Sequence, residues 1–554
     1  MRRANWLTLG PAWLAGLLAT LLVWWLPNRA QLGQLAMPVE RLNSVSFAPF
    51  REGDSPLRNI FPSAAEVEED LRLIAPRVRG IRSYASIEGD YEIAELAQRH
   101  GLRLWKGAWL GRDLLQNDRE LTRLIDAANR FPDTVERVVV GNEVLLRRDL
   151  PPQALAAALD RVRAAVRQPV TYADVWEFWE QFPEIAKHVD IVTIHILPYW
   201  EDEPLDVESA IAHTRDIYRR MRALFPDKPI AIGEVGWPSQ GRWREGAVPS
   251  VVNQARFLRE FAALSQAEGF DYNIIEAFDQ GWKYKNEGTV GAAWGLWTAG
   301  RQPKFALSGP VRENAAWPFY AGGAVLLGLV FSVLTRRAFP RAGAAPLVLL
   351  SLALGNALAF AWCGGMPYAF DEHLLLAVAV NLVGQVMLAA LMLRRAGQRL
   401  SRLPVEPARN GAHATATVRA LFRLRLRWRD WRGFALDDLG FVFLWTAAAL
   451  ELMLLFDPRY RDFPFSTFAV PVVTVVARAM LRDLPRAGGG WAEAWAGGAL
   501  ALAALASAVN EGGANLQALG WSACALGLAV PALLRLRRPV PAAAIPLVSR
   551  PASR

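Results

Sequence analysis

With two cysteines in 554 residues, Cys363 and Cys524, the chain cannot be a disulfide-stapled scaffold. No CxxC occurs, and the six histidines show no paired ligand spacing, so no metal is expected. The first strand-like run is not followed by GxGxxG, which removes the dinucleotide fingerprint, and no cofactor is expected. Acidic residues are scarce outside the middle of the chain. Residues 40–313 hold 35 Lys and Arg against 41 Asp and Glu, net −6, whereas the remainder holds 27 against 12, net +15. The pI near 9.8 therefore belongs to the flanks. There the arginines border long apolar runs instead of covering a folded face, which argues against a nucleic-acid partner and for membrane topology.

What is abundant in the flanks is apolar length. The run 6–26 follows Arg2 and Arg3 and is long enough to cross a hydrocarbon core of about 30 Å. Seven more runs follow at 317–334, 346–362, 374–393, 439–456, 465–481, 491–509 and 516–534; the sixth of the eight, with Pro471 and Arg478 inside it, is the weakest. Basic residues fall on alternate connections, which predicts eight spans, both termini inside and the middle exported. The expected layout is an uncleaved anchor at 1–27, an extracytoplasmic domain at 28–315, a membrane domain at 316–540 in the inner membrane, and a cytoplasmic tail at 541–554. A basic cytoplasmic loop covers 394–438. A cleavable signal peptide is the other reading of the first run, but no Ala-x-Ala follows it.

Between 43 and 280 the hydrophobic period alternates between strand and helix. Strand-like runs at 45–48, 80–84, 102–109, 138–141, 170–173, 191–197, 230–233 and 272–277 are separated by amphipathic stretches such as 121–130 and 207–224. Eight such repeats predict a (β/α)8 TIM barrel in the exported region, fused to an all-α polytopic membrane domain. A doubly wound open sheet is the alternative. "RVVVGNEVLLRRD" (137–149) is then strand four, ending in Asn142-Glu143, and "IGEVGWPSQG" (232–241) carries strand seven, ending in Glu234. Both carboxylates reach the C-terminal rim, where barrel enzymes build their sites. Two facing carboxyl groups suit glycoside cleavage, in which one protonates the leaving oxygen and the other attacks the anomeric carbon.

Those strings, with "GIRSY" (80–84), "HILPYW" (195–200), "EAFDQGWK" (276–283) and "AAWGLWTAGRQPK" (292–304), resemble glycoside hydrolase family 17, especially its bacterial membrane-linked members. The resemblance implies a retaining β-1,3-glucan enzyme with Glu143 as acid/base and Glu234 as nucleophile. It further implies Asn142 on the sugar 2-hydroxyl, Tyr199 hydrogen-bonded to Glu234, and Glu276 and Lys283 joining the site. His195 and Gln280 depart from the family pattern, which leaves their roles open. Of the rim aromatics, Tyr84, Trp237 and Trp282 are expected to touch sugar, with Trp105, Trp109 and Trp200 as further candidates. Burial and a neighbouring charge are expected to raise the pKa of Glu143. The partners implied are a β-glucan donor and acceptor, membrane lipid, and a glucan synthase docked on the basic loop; an amphipathic strip at 418–432 lying on anionic lipid is the simpler reading of that loop. Transglycosylation, including β-1,6 branching, is expected ahead of β-1,3-glucan hydrolysis. A glucan-binding transporter or export scaffold is the alternative of another class.

Overall fold

The structure is a computed structural model and describes residues 6–406, 435–456, 461–484 and 491–534. The strip expected at 418–432 and the tail at 541–554 lie outside the described residues. The chain divides into two compact units, one formed by Ala30–Glu313 and the other by Met1–Arg29 with Asn314–Arg554.

In the first unit eight parallel strands close in chain order. They are β1 (Leu42–Ser46), β2 (Val78–Arg82), β3 (Arg103–Ala108), β4 (Val135–Asn142), β5 (Val170–Val175), β6 (Ile191–Ile196), β7 (Ile230–Val235) and β8 (Asp271–Ile274). This is the barrel that the alternating rhythm predicts. The intervening helices start and stop on local signals. Ser63 and Glu66 form a capping box at the start of Ala64–Ile74, and Gly269, at φ 71°, ends Val251–Glu268. Trp105, Val139, Ala173 and Ala231, from β3, β4, β5 and β7, meet inside the barrel. Trp105 is therefore not a rim residue: its ring lies 4.1 Å from the Arg137 guanidinium, which pairs with Asp271.

Two irregularities in the sheet aim the site. Val139 pairs with Thr171 but Asn142 with Ala173, and Ile232 pairs with Ile194 but Glu234 with His195. Each strand thus carries one extra residue, which reverses the face taken by everything after it. Gly141 absorbs the first bulge at φ 85°. At the second, a Cβ on Gly233 would lie 2.6 Å from Thr193 Cγ2, so only glycine fits. The unit's own ends are zipped together, because Gln31 and Val311 exchange backbone hydrogen bonds of 2.8 Å.

Under the loops after β2 and β3, Glu88, Glu92 and Glu120 surround buried Lys106, whose Nζ lies 3.2 Å from Glu92. Burial pushes the Glu88 carboxyl up to about 7 against the pull of Lys106. Burial likewise raises Asp174 to about 6 and Glu276 to about 7. A carboxyl raised on folding adds stability below its unfolded pKa, and that stability is lost as pH climbs through the folded value. The thermal midpoint of the barrel, followed by tryptophan fluorescence, is therefore expected to fall by several degrees, roughly, between pH 5 and 8. Glu88→Gln should flatten that slope; a midpoint that rises over the same window contradicts the assignment.

The second unit is helical. Among the described residues, six helices are long and apolar enough to cross a membrane: Trp317–Ala338, Ala344–Tyr368, Glu372–Leu400, Leu436–Phe456, Ala492–Glu511 and Leu516–Leu534. Shorter apolar helices, Leu9–Trp25 and Phe465–Met480, stand at the first and sixth expected runs. Trp24 Nε1 donates to Asn356 Oδ1 at 2.9 Å, which ties the first helix into this unit. The charge inside the sixth run is neutralised, since Arg478 pairs with Asp437 at 2.8 Å.

Candidate active site

The β4 bulge delivers Asn142 and Glu143 to the mouth of the barrel. Glu143 has φ 51°, a left-handed conformation that costs of order 1 kcal/mol or more for a side-chain-bearing residue and persists only where neighbours hold it. Its backbone N–H donates to the Ala173 carbonyl at 2.8 Å. Arg147 ties the turn down further, donating to the Asn142 carbonyl, to the Leu110 carbonyl at 3.0 Å and to Asp149 at 2.8 Å.

His195, wholly buried on β6, bridges the two carboxylates. Its Nδ1 is 2.9 Å from Glu143 Oε1, and its Nε2 is 3.7 Å from Glu234 Oε1 and 3.4 Å from Arg82 Nη1. Arginine only donates, so Nε2 faces it as acceptor and Nδ1 carries the hydrogen toward Glu143. Sequence reasoning left His195 without a role; here it sets the orientation of Glu143.

Arg82, on β2, is the residue that sequence reasoning missed. It is 1% exposed and donates to Gly233 O at 2.7 Å, to Glu234 Oε1 at 3.1 Å and to Asn142 Oδ1. One guanidinium thus joins the tips of β4 and β7. The available signal was a charge at the end of a strand that is otherwise buried. Because Asn142 turns its carbonyl to Arg82, its NH2 group is free to donate to a ligand, and it has no acceptor among the described residues.

Glu234 receives a second donor, the Tyr84 hydroxyl, at 2.8 Å on the same Oε1. Behind it, Ser46 Oγ lies 2.9 Å from the phenol and accepts from Asn273 Nδ2, so a chain of hydroxyls runs from β8 to the carboxylate. Burial and the Glu234 charge raise the Tyr84 pKa well above its ordinary value, which keeps the phenol a donor. Glu234 Oε2 accepts no hydrogen bond among the described residues.

Two expectations about rings are corrected. Tyr199 does not hold Glu234, because its single hydroxyl hydrogen goes to the Arg242 carbonyl at 2.6 Å and its ring packs edge-on against Trp200, Trp237 and Trp294. Trp237 is 1% exposed, donates Nε1 to Val248 O and stacks on Phe257, so it belongs to the core and not to a sugar platform. The rings that stay open are Tyr84, Trp200 and Trp282, all half-buried, and Trp109, which is exposed beside the Arg147 guanidinium at 4.2 Å. Trp282 donates to Gln280 Oε1, which makes Gln280 a structural partner.

Glu276 and Lys283 do meet, at 2.8 Å. Burial nevertheless pushes Glu276 up to about 7 against the pull of Lys283, and its Oε2 is buried with no partner among the described residues. Half-buried Glu287, unforeseen from sequence, has its pKa raised by burial, with Lys283 opposing and Glu143 and Glu234 adding to the rise. The expected rise at Glu143 is also corrected. Burial pushes its carboxyl up, but the His195 hydrogen bond and the Arg147 and Arg82 charges together hold it below the ordinary value.

Glu143, His195 and Glu234 offer donor atoms within 4.8 Å of one another. A cation there would share Glu234 Oε1 with the Arg82 guanidinium and be repelled by it. The arrangement suits a neutral ligand flanked by two carboxyl groups, one with an unencumbered oxygen.

The BtgE/BtgC glycoside hydrolase domain matches residues 44–295. A glucan 1,3-beta-glucosidase of Schizosaccharomyces pombe is 28% identical over 39% of this chain and 72% of its own length. One from Saccharomyces cerevisiae is 23% identical over 44% and 85%. A probable glucan endo-1,3-beta-glucosidase btgC of Aspergillus terreus is 24% identical, and this chain spans only 42% of it. Among solved structures, the glycoside hydrolase family 17 beta-1,3-glucanosyltransferase of Rhizomucor miehei is 25% identical over 48% of this chain and 97% of that one, with a TM-score of 0.43.

Proposed function

We propose that this chain, whose residues 44–295 match the BtgE/BtgC glycoside hydrolase domain, cleaves β-1,3-glucan with retention and passes the released glycosyl group to another sugar. The observation that carries the reading is the pair of glutamates at one mouth, with an oxygen of each within 4.8 Å. Retaining enzymes hold their carboxyl groups about 5–5.5 Å apart, whereas inverting ones need about 6.5–9.5 Å to admit a water between them.

In the first step Glu234 Oε2 attacks the anomeric carbon as Glu143 gives its proton to the departing glycosidic oxygen, leaving a glycosyl ester on Glu234. In the second, Glu143 takes a proton from the incoming hydroxyl, which displaces the ester. Glu143 must be protonated to begin. Sugar seated over the mouth displaces water from its half-buried carboxyl and shifts it toward the acid. Asn142 NH2 is free for the sugar 2-hydroxyl, and Tyr84 and Trp282 offer faces to the rings.

Water and a sugar hydroxyl compete for the same ester. Transfer is favoured by the open Trp109 ring beside the Glu143 turn, a surface on which an acceptor can rest. Six helices capable of crossing a membrane support tethering of the barrel at a lipid surface, where growing glucan and a synthase would be met. We assign both termini to the cytoplasmic side and the barrel to the other.

The test is product analysis with the full chain in detergent and β-1,3-gluco-oligosaccharides of one length. Products longer than the donor are expected, with β-1,6 branch signals by NMR. Shortened products alone would make the enzyme a glucanase, and an unchanged donor would overturn the reading.

A further inference from the structure

Tyr172, Ala173 and Asp174 lie in the C-terminal half of β5, and all three grip the segment that presents Glu143. Ala173 accepts from Glu143 N, Tyr172 Oη accepts from Leu145 N at 2.9 Å, and Asp174 Oδ2 accepts from Leu146 N at 3.4 Å. The Tyr172 hydroxyl donates to that same Oδ2, and Val175 N donates to Oδ1 at 2.8 Å. Asp174 is fully buried, and a carboxyl in such a place is costly unless its charge has a use or its lone pairs are filled.

The charges around Glu143 come from six directions. Arg147 on its own turn, Arg82 on β2 and His195 on β6 draw its proton off; Asp174 on β5, Glu234 on β7 and Glu287 beyond β8 oppose them. We propose that Asp174 is the positioning residue of the reaction: it clamps the left-handed turn that aims Glu143, and its charge opposes the cations that draw away the proton Glu143 must give to the leaving oxygen. The proposal rests on Glu143 acting as the acid. Asp174 itself gives and takes no proton in the step, which moves one hydrogen from Glu143 to the glycosidic oxygen.

The test uses the full chain, with carbon-13 in the glutamate carboxyls and the Glu143 signal assigned by its loss in Glu143→Gln. In Asp174→Asn the Glu143 midpoint is expected to fall by about one pH unit, since a neighbouring negative charge has gone. The basic limb of the kcat/KM profile should move down with it. At pH 7, turnover of β-1,3-gluco-oligosaccharides should drop about tenfold. A dinitrophenyl laminaribioside, whose leaving group needs no proton, should lose under about threefold, because general-acid assistance is what has been weakened. Tyr172→Phe removes the phenol but keeps the charge, and should slow the gluco-oligosaccharides more than the dinitrophenyl donor without moving the basic limb. Should Asp174→Asn fail to fold, the unaltered chain still decides: its Glu143 signal must step where Asp174 titrates, at about 6. A single-step curve, or equal loss on both donors with an unmoved midpoint, overturns the proposal. Absence of turnover in the unaltered chain overturns the proposed function instead and leaves the titration readable.

Discussion

Glu234→Ala is expected to lower turnover of β-1,3-gluco-oligosaccharides by about 10⁴-fold or more, the scale seen when a nucleophile that works as a unit with its acid is removed. The reason lies in the two oxygens of this side chain. Oε1 is held by Arg82 at 3.1 Å and Tyr84 at 2.8 Å, while Oε2 faces the mouth with no partner among the described residues. Alanine deletes the attacking atom and leaves Arg82 and Tyr84 around a small void. Azide fits such a void and carries the charge that the carboxylate supplied. With a dinitrophenyl donor, azide should restore turnover and give the α-glycosyl azide, because it enters from the face that Glu234 vacated. Recovery of a β-azide would contradict double displacement, and full activity without azide would remove Glu234 from the chemistry.

Arg82→Met should cost nearly as much, on the order of 10³-fold in kcat, although no bond to sugar is assigned to it. Its guanidinium is a strut between acid and nucleophile strands, donating to Asn142 Oδ1 on β4 and to Gly233 O and Glu234 Oε1 on β7. Methionine has similar length and no hydrogens to give, so three buried acceptors lose their partner at about 1–3 kcal/mol each. Breaking the Arg82–Glu234 pair, 1% and 5% exposed, adds an uncompensated charge, and a fall in stability of roughly 3–5 kcal/mol is expected. Arg82→Lys should recover little, since a single ammonium cannot span two strands. The basic limb should move up in Arg82→Met, because one of the charges holding Glu143 low has gone. That is the opposite sign from Asp174→Asn. A variant with normal kcat, or a limb that moves down, would refute the strut.

Much of the barrel is legible in the sequence because its strands are buried runs and its helices amphipathic, and each of those periods is local. Glu143 and Glu234 stand out because each ends an apolar run with a carboxylate, and the structure brings both to one mouth. Bulges are a different matter. By strict alternation Ala231 would share its face with Gly233 and not with Glu234; only the pairing shift against β6 turns Glu234 inward. That shift depends on a neighbouring strand, which no local period records. The same holds for Arg82, whose three acceptors lie 60 residues or more away in sequence. Tyr199 and Trp237 were misjudged because an aromatic at a strand tip reads the same whether its ring packs inward or faces ligand. The eighth strand stops at Ile274, short of the expected 277, because the chain leaves the sheet before Glu276 and returns only through single contacts such as Ala277 N to Ser46 O.

The zipped ends of the barrel bear on the timetable of synthesis. The helix Trp6–Trp25 emerges before the barrel, yet Asn356, which receives the Trp24 indole hydrogen, is made 332 residues later. At about 5–20 residues per second, that helix waits roughly 15 to 65 s for its partner. Gln31 closes on Val311 within the barrel's own unit. The whole of 30–313 is therefore made before any helix from Trp317 onward. A codon change that slows synthesis between 30 and 313 lengthens the time that the helix Trp6–Trp25 stands without Asn356.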